Sequence, residues 1–164
     1  MKMESIQDLM TTGLTYVLDF EDQIAAAAPK IAQAVTNPEL KEMFEKTETK
    51  SKEYGSRIEG VFGKLGKEVQ RNTNHIAKAM VTEVEEMIKN TDAGPVRDAA
   101  LIVAANQQQM YRVASYGCMK TYAELLGKQD AVAEMLKNLE DSKGGDEKLT
   151  KLAEEKINPS AKAA

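Results

Sequence analysis

Histidine is almost missing from this chain: His75 is the only one in 164 residues. A single imidazole excludes metal sites that draw two or more histidines from one chain, and mechanisms that need a second one. Cysteine is equally scarce. Cys118 stands alone, so no internal disulfide can form, which points to a reducing interior and a cytoplasmic protein. Tryptophan is absent, and three Phe and five Tyr stand against nine Met, a balance that suits helix-on-helix packing better than a sheet. Long apolar runs are lacking too. Runs such as Ala25 to Pro29 are far short of the ~20 residues that cross a bilayer, and Met1 to Ser5 lead into an amphipathic pattern without any leader-like segment. Nor is there a basic surplus. Lys and Arg number 22 against 26 Asp and Glu, for a net charge of −4, the wrong sign for a nucleic-acid binder. The nearest basic cluster, Lys64, Lys67 and Arg71, is interrupted by Glu68.

What is present fits one globular domain. Apolar residues make up 42% and charged residues 29%, and a chain of this length buries roughly 70% of its unfolded surface without staples. Punctuation divides it into five helices. Ser5 is a plausible N-cap, and Leu14, Val17, Glu21, Ile24, Ala28 and Ile31 step by three and four along a first helix over 5–35, with Pro29 expected to kink it. Asn37-Pro38 is a strong start signal for a second helix. Its stripe is Leu40, Phe44, Ser51, Gly55, Ile58 and Phe62, and Gly63 to Gly66 end it.

The polar stretch 67–74 leads into a short helix over 75–89, with Ile76, Met80, Val84, Met87 and Ile88 expected inward. A fourth helix begins at Pro95. Val96, Ala99, Ala100, Val103, Met110, Val113, Gly117, Thr121 and Leu125 are read as its buried face, and Gly127 as its C′ residue. The last helix covers 129–157, with Val132, Leu136, Leu139, Leu149 and Leu152 inward, and Asn158-Pro159 is expected to stop it. The short helix lies between the second and fourth long ones, where a bundle with one long crossover needs a connector. The expected fold is therefore all-α, a ferritin-like four-helix bundle over residues 1–158, with 159–164 as a frayed tail.

Each long helix carries polar residues near mid-length: Glu21 on the first, Thr47, Glu48, Ser51 and Lys52 on the second, Asn106 to Gln109 on the fourth, and Ser142, Lys143 and Asp146 on the last. One such residue is ordinarily a solvated boundary position. Four coincident layers suggest a site in the bundle core, where di-metal carboxylate proteins hold their ions. Cys118, beside the inward Gly117, reads as a small buried packing residue, and His75 as a surface residue opening its helix.

The segments Val96-Arg-Asp-Ala-Ala-Leu-Ile-Val-Ala-Ala105, Tyr111-Arg-Val-Ala-Ser-Tyr-Gly117 and Ala123-Glu-Leu-Leu-Gly127 resemble the YciE/YciF family of bacterial ferritin-like proteins. Glu21-Asp-Gln23, Asn37 with Leu40 and Phe44, and Asp146 to Leu152 extend the likeness from about Ile6 to Asn158. The resemblance implies a cytoplasmic homodimer associated with stress responses, and a di-iron centre of carboxylates and histidines.

Carried over residue by residue, that centre is incomplete. Glu21 is present. The expected Glu-x-x-His of the second helix falls on Thr49 and Lys52, and a Glu-His-Tyr-Glu stretch falls on Gln109-Met110-Tyr111-Arg112. On the last helix Glu140, Asp141 and Asp146 survive beside Ser142. The expectation is that Lys52, Arg112 and Lys143 neutralise Glu21, Asp141 and Asp146 in a salt-bridged core, with no metal and no catalysis. The alternative is a di-iron or di-manganese oxidase or peroxidase with a histidine-free ligand set of Glu21, Glu48, Asp141 and Asp146.

Overall fold

The computed structural model describes residues 2–164, and among them every regular element is helical. Helix α1 covers Ile6–Ala34 and runs through Pro29 without ending. Ser5 caps it: its Oγ accepts from the Asp8 backbone N–H at 3.1 Å and donates to the Asp8 carboxylate at 2.7 Å, a reciprocal closure of the first turn. Helix α2 (Pro38–Glu45) begins as expected, with Asn37 accepting from the Leu40 N–H and Pro38 in the first turn. The chain then departs from expectation. The single helix foreseen from Pro38 to Phe62 is interrupted at Lys46, and α3 occupies Thr47–Lys64. The interruption is one residue long, so Phe44, Ser51, Gly55 and Ile58 keep a common inward phase.

Helix α4 (His75–Lys89) is capped by Asn74, α5 spans Pro95–Leu125 and α6 spans Gln129–Leu152. Asn158-Pro159 does not stop the last helix. A π turn at Ala153–Ile157, where the Asn158 N–H reaches back to the Ala153 carbonyl, precedes α7 (Asn158–Ala163). Pro159 thereby falls in a first turn, where its missing N–H costs nothing. Residues 159–163, foreseen as a frayed tail, are thus helical, although α7 buries none of its side chains.

The chain is an all-α helical bundle. Helix α5 packs most extensively on α6, and α1 on α3, while α4 crosses between α3 and α5 and lies against α1 and α5. No helix among the described residues is long and apolar enough to cross a membrane.

Besides a small cluster of Phe20, Ile24 and Ala77 that packs α4 against α1, two large apolar clusters lie along the bundle. One joins Leu14 and Leu18 of α1 to Ile58, Phe62, Tyr116 and Met135. The other joins Ile31 to Leu40, Phe44, Leu101, Leu149 and Leu152. Between them, at Glu21, Ser51, Gln108, Arg112 and Ser142, every bundle helix buries a polar side chain.

The inward face of α5 differs from the one read in the sequence. Leu101, Ile102, Ala104, Gln108, Arg112, Tyr116, Met119 and Ala123 are buried, whereas Val96, Val103, Met110 and Leu125 are exposed. Apolar residues occur on more than one side of this helix, so tracing them selects an outer face. Ile76 of α4 and Leu136 of α6 are likewise exposed, replaced inward by Ala77 and by Ala131 and Met135.

Candidate functional site

The polar layer is organised around one buried charge. Glu21 sits on the inward stripe of α1, and its side chain has no exposed surface. Burying an ionised carboxylate without partners is prohibitively costly, and α5 supplies the remedy. Arg112, 3% exposed, faces it in the planar two-point geometry that suits guanidinium and carboxylate. Its Nε donates to Glu21 Oε1 at 2.8 Å and its Nη2 to Glu21 Oε2 at 2.7 Å. Nη2 also donates to Ser51 Oγ of α3 at 2.9 Å. The Tyr116 hydroxyl, one turn further along α5, donates to Glu21 Oε1 as well. The guanidinium lies between two rings, 5.4 Å from the centroids of both Phe20 and Tyr54, where the ring faces favour a desolvated cation.

The electrostatics follow from this enclosure. Burial works against the charge on Arg112, but the Glu21 carboxylate in contact with it prevails and holds its pKa above the usual arginine value. Burial pushes the Tyr116 phenol well above its ordinary range, and the negative charge of Glu21 pushes it the same way. Tyr54 is raised to about 12, chiefly by burial. All three groups are therefore fixed in one protonation state across the physiological range.

Of the residues foreseen for this layer, Glu21, Arg112 and Ser142 are buried in it, and Gln109 lies at its edge, accepting from Arg112 Nη1 at 3.4 Å. Others do not join it. Thr49 and Lys52 are exposed, and Lys52 instead pairs with Glu48 one turn away on the outside of α3. The reason is angular: at about 100° per residue, Lys52 is turned away from the inward Ser51, and Thr49 further still. The inward pair three apart on α3 is Ser51 and Tyr54. Met110 is exposed. Asp141 pairs with Arg57 at 3.1 Å on a partly exposed edge, and Lys143 with Glu140 at 3.4 Å in solvent. Asp146 is half-buried and makes no ion pair among the described residues. The core thus contains one ion pair, Glu21–Arg112, and not three. Cys118, foreseen as buried, is exposed; His75 is exposed, as expected.

Gln108, foreseen within the polar turn Asn106 to Gln109, is buried in the layer, whereas Tyr54 and Asn138 are members that sequence reasoning passed over. Asn138 is fully buried, accepts from Arg57 at 3.0 Å and donates to the Tyr54 carbonyl at 3.4 Å. The row Ala104, Gln108, Arg112, Tyr116, spaced by four, was the available signal for the inward face of α5.

These residues do not suit a di-metal centre. Such a centre needs several carboxylates and imidazoles with free lone pairs. Here one carboxylate is present, Tyr116 and Arg112 occupy its oxygens, and a permanent cation stands at bonding distance. The alternative ligands Glu21, Glu48, Asp141 and Asp146 are not brought together: among the described residues no three His, Cys, Asp or Glu side chains are gathered as a metal would require.

The family model for a domain of unknown function, DUF892, matches residues 5–162. Protein YciF of Escherichia coli K12 is 33% identical over 162 residues, covering 98% of both chains. The chain belongs to the YciF family. The crystal structure of the E. coli stress protein YciF superposes with a TM-score of 0.90 at 32% identity, over 95% of this chain and 99% of that one. YcfI of Rhodopseudomonas palustris, proposed to be a structural protein, matches with a TM-score of 0.85 at 28% identity, over 90% of this chain and 94% of that one. The helical bundle described above is the fold of the YciF family, and Glu21 and Arg112 lie at the centre of this member's bundle.

Proposed function

We propose that this protein is a stress-associated, cytoplasmic member of the YciF family that works as a structural or interaction module. In this reading it has no di-iron chemistry, and the Glu21–Arg112 pair occupies the bundle centre in place of a metal. The observation that carries this is the two-point contact of Arg112 on Glu21. It consumes the one buried carboxylate of the layer and places a fixed positive charge where a metal cation would have to enter. The names of the relatives, a stress protein and a proposed structural protein, agree with such a role.

The deciding experiment is anaerobic reconstitution of the purified chain with Fe(II), and separately with Mn(II), followed by desalting and elemental analysis. Only traces of metal are expected to remain. Two tightly held ions per chain would overturn the proposal and restore the oxidase reading.

An interaction module needs a surface, and the outer sides of α1, α4 and α5 offer one. Leu9, Tyr16, Ile76 and Met110 are exposed there, and Leu9, Tyr16 and Ile76 line an open apolar groove of about 650 Å³ with Tyr111, Cys118 and Tyr122. We assign this apolar face to pairing with a second copy, the homodimer that the family resemblance implies. Light scattering coupled to size exclusion should give a dimer for the wild type and a monomer for Tyr16→Glu. A wild-type monomer at micromolar concentration would exclude the pairing.

A further inference from the structure

On the side of the bundle away from that apolar groove, a cleft of about 430 Å³ enters between α2, α3, α5 and α6 and reaches the polar layer. Its inner end is formed by Gln108, Gln109 and Arg112 of α5, and its walls include Phe44, Tyr54 and Leu149. Gly144 and Gly145 keep it open along α6: a side chain at Gly145 would begin 2.7 Å from the Gln109 amide nitrogen. The volume falls within the range of small-molecule sites.

Two polar groups at the inner end are not fully used by the protein. The Gln108 side chain is 7% exposed and has no hydrogen-bond partner among the described residues. Among the described residues the buried side-chain polar atom without a partner is Asn106 Oδ1 and not an atom of Gln108, so the Gln108 amide keeps its polar atoms open to the cleft, where a ligand can meet them. Arg112 is the second. Its Nε and Nη2 are committed to Glu21 and Ser51, but Nη1 reaches only the Gln109 oxygen, at 3.4 Å. A guanidinium carries five N–H donors, so donor capacity remains on the Gln109 side.

The cleft is also lined by three exposed lysines. Lys46 and Lys50 are held by weak exposed pairs with Glu42 and Glu53 on their own helices, and Lys148 has no ion pair among the described residues. Glu140 and Asp141, which also line the cleft, are already paired with Lys143 and Arg57.

We infer that this cleft is a binding site for a small monocarboxylate with a short apolar body. The carboxylate would accept from the Gln108 amide and Arg112 Nη1, the apolar body would lie against Phe44, Tyr54 and Leu149, and Lys148 would attract the charge. The site uses Arg112 as a donor but does not depend on whether the bundle binds metal, and its test contains none.

Hexanoate is the probe, with hexanamide and inorganic phosphate for comparison. The wild-type chain, uniformly ¹⁵N-labelled, is titrated with each while the glutamine side-chain amide signals are followed. Hexanoate should shift the Gln108 signals saturably and bind more tightly than either comparison compound. Gln108→Leu should weaken hexanoate about tenfold, the equivalent of one charge-assisted hydrogen bond. Lys148→Glu is fully on the surface and leaves the fold untouched, so it guards against a folding failure of the first variant. It should weaken hexanoate several-fold and leave hexanamide unchanged. Equal binding of hexanoate and hexanamide would overturn the carboxylate assignment, tighter binding of phosphate would overturn the apolar body, and no saturable shift with any probe would overturn the site.

Discussion

Arg112 of α5 and Glu21 of α1 meet through two parallel hydrogen bonds of 2.8 and 2.7 Å at a point where the Glu21 side chain is sealed from solvent and Arg112 is all but buried. They are separated by 91 residues in the chain, so the pair joins two of the long helices at mid-length. With Ser51 and Tyr116 bonded to the same pair, three helices are registered against one another by a single charged cluster between two apolar cores.

Because each charge exists in the core only through the other, removing one is worse than removing both. Glu21→Leu or Arg112→Met alone should lower the unfolding free energy by about 3–5 kcal/mol, the cost of leaving a buried partner uncompensated. The double substitution Glu21→Leu with Arg112→Met should be less destabilised than either single variant, since a well-packed apolar layer can match a buried ion pair. Urea unfolding of the four chains of the cycle measures this directly. Additive losses would mean that the two side chains are not coupled.

The phenols beside the pair make the fold sensitive to alkali. In the unfolded chain tyrosine titrates near 10, whereas Tyr54 in the fold is raised to about 12 and Tyr116 is held well above its ordinary value. Below about pH 10 both states keep these protons, and stability does not depend on them. Between about pH 10 and 12 the unfolded chain releases protons that the folded chain retains, so stability falls, by up to about 1.4 kcal/mol per pH unit for each phenol. Urea midpoints in that window should drop less steeply for Tyr54→Phe than for the wild type. Comparing the two removes the contribution of lysines titrating over the same range.

The helical segments were largely legible because their ends carry local signals: Ser5, Asn37-Pro38, Asn74 and Pro95 mark starts that the structure reproduces within a residue. The faces were less legible, and α5 shows why. Val96, Val103 and Met110 look like a core stripe, yet the inward row carries Asp98, Gln108 and Arg112, and a polar residue gives no sign in the sequence of the distant partner that makes its burial tolerable. Arg112 could be placed in the centre only through its likeness to a family position. Lys52 and Lys143 were misplaced because a cation near a carboxylate in sequence is as easily accommodated outside, which is where Glu48 and Glu140 hold them.

Asp98 is a second buried carboxylate that sequence reasoning passed over, and its role is structural. It accepts from the Thr36 N–H at 2.9 Å, the Thr36 hydroxyl at 2.6 Å and the Asn37 N–H at 2.7 Å, and so pins the corner between α1 and α2 to the first turn of α5. Asp98→Ala removes all three bonds and unpins the corner, and should cost about 2–3 kcal/mol. Asp98→Asn should cost nearly as much, because one amide edge then presents N–H to N–H. Hydrogen exchange is the specific readout: the Thr36 and Asn37 amides should lose protection in both variants ahead of amides in the middle of α5.

Asn74 ties the connector to the bundle in a way that two substitutions can dissect. Its Oδ1 accepts from the Ala77 N–H at 2.9 Å and caps α4, while its Nδ2 donates to the Tyr16 carbonyl at 2.9 Å and the Tyr111 hydroxyl at 2.7 Å. Its own N–H donates to Asp19 at 2.7 Å. Asn74→Ala removes cap and tether together, and about 2–3 kcal/mol of stability should go with them. Asn74→Asp keeps an oxygen for the Ala77 N–H but loses both donated bonds and sets a second carboxylate near Asp19. The Ala77 amide should therefore stay protected from exchange in Asn74→Asp and become labile in Asn74→Ala, and only Asn74→Ala frees the Tyr111 hydroxyl, which can donate to the new carboxylate in Asn74→Asp. Full protection of Ala77 in both variants would show that α4 is held by its packing on α1 and α5 alone, with the Asn74 side chain contributing nothing to its start.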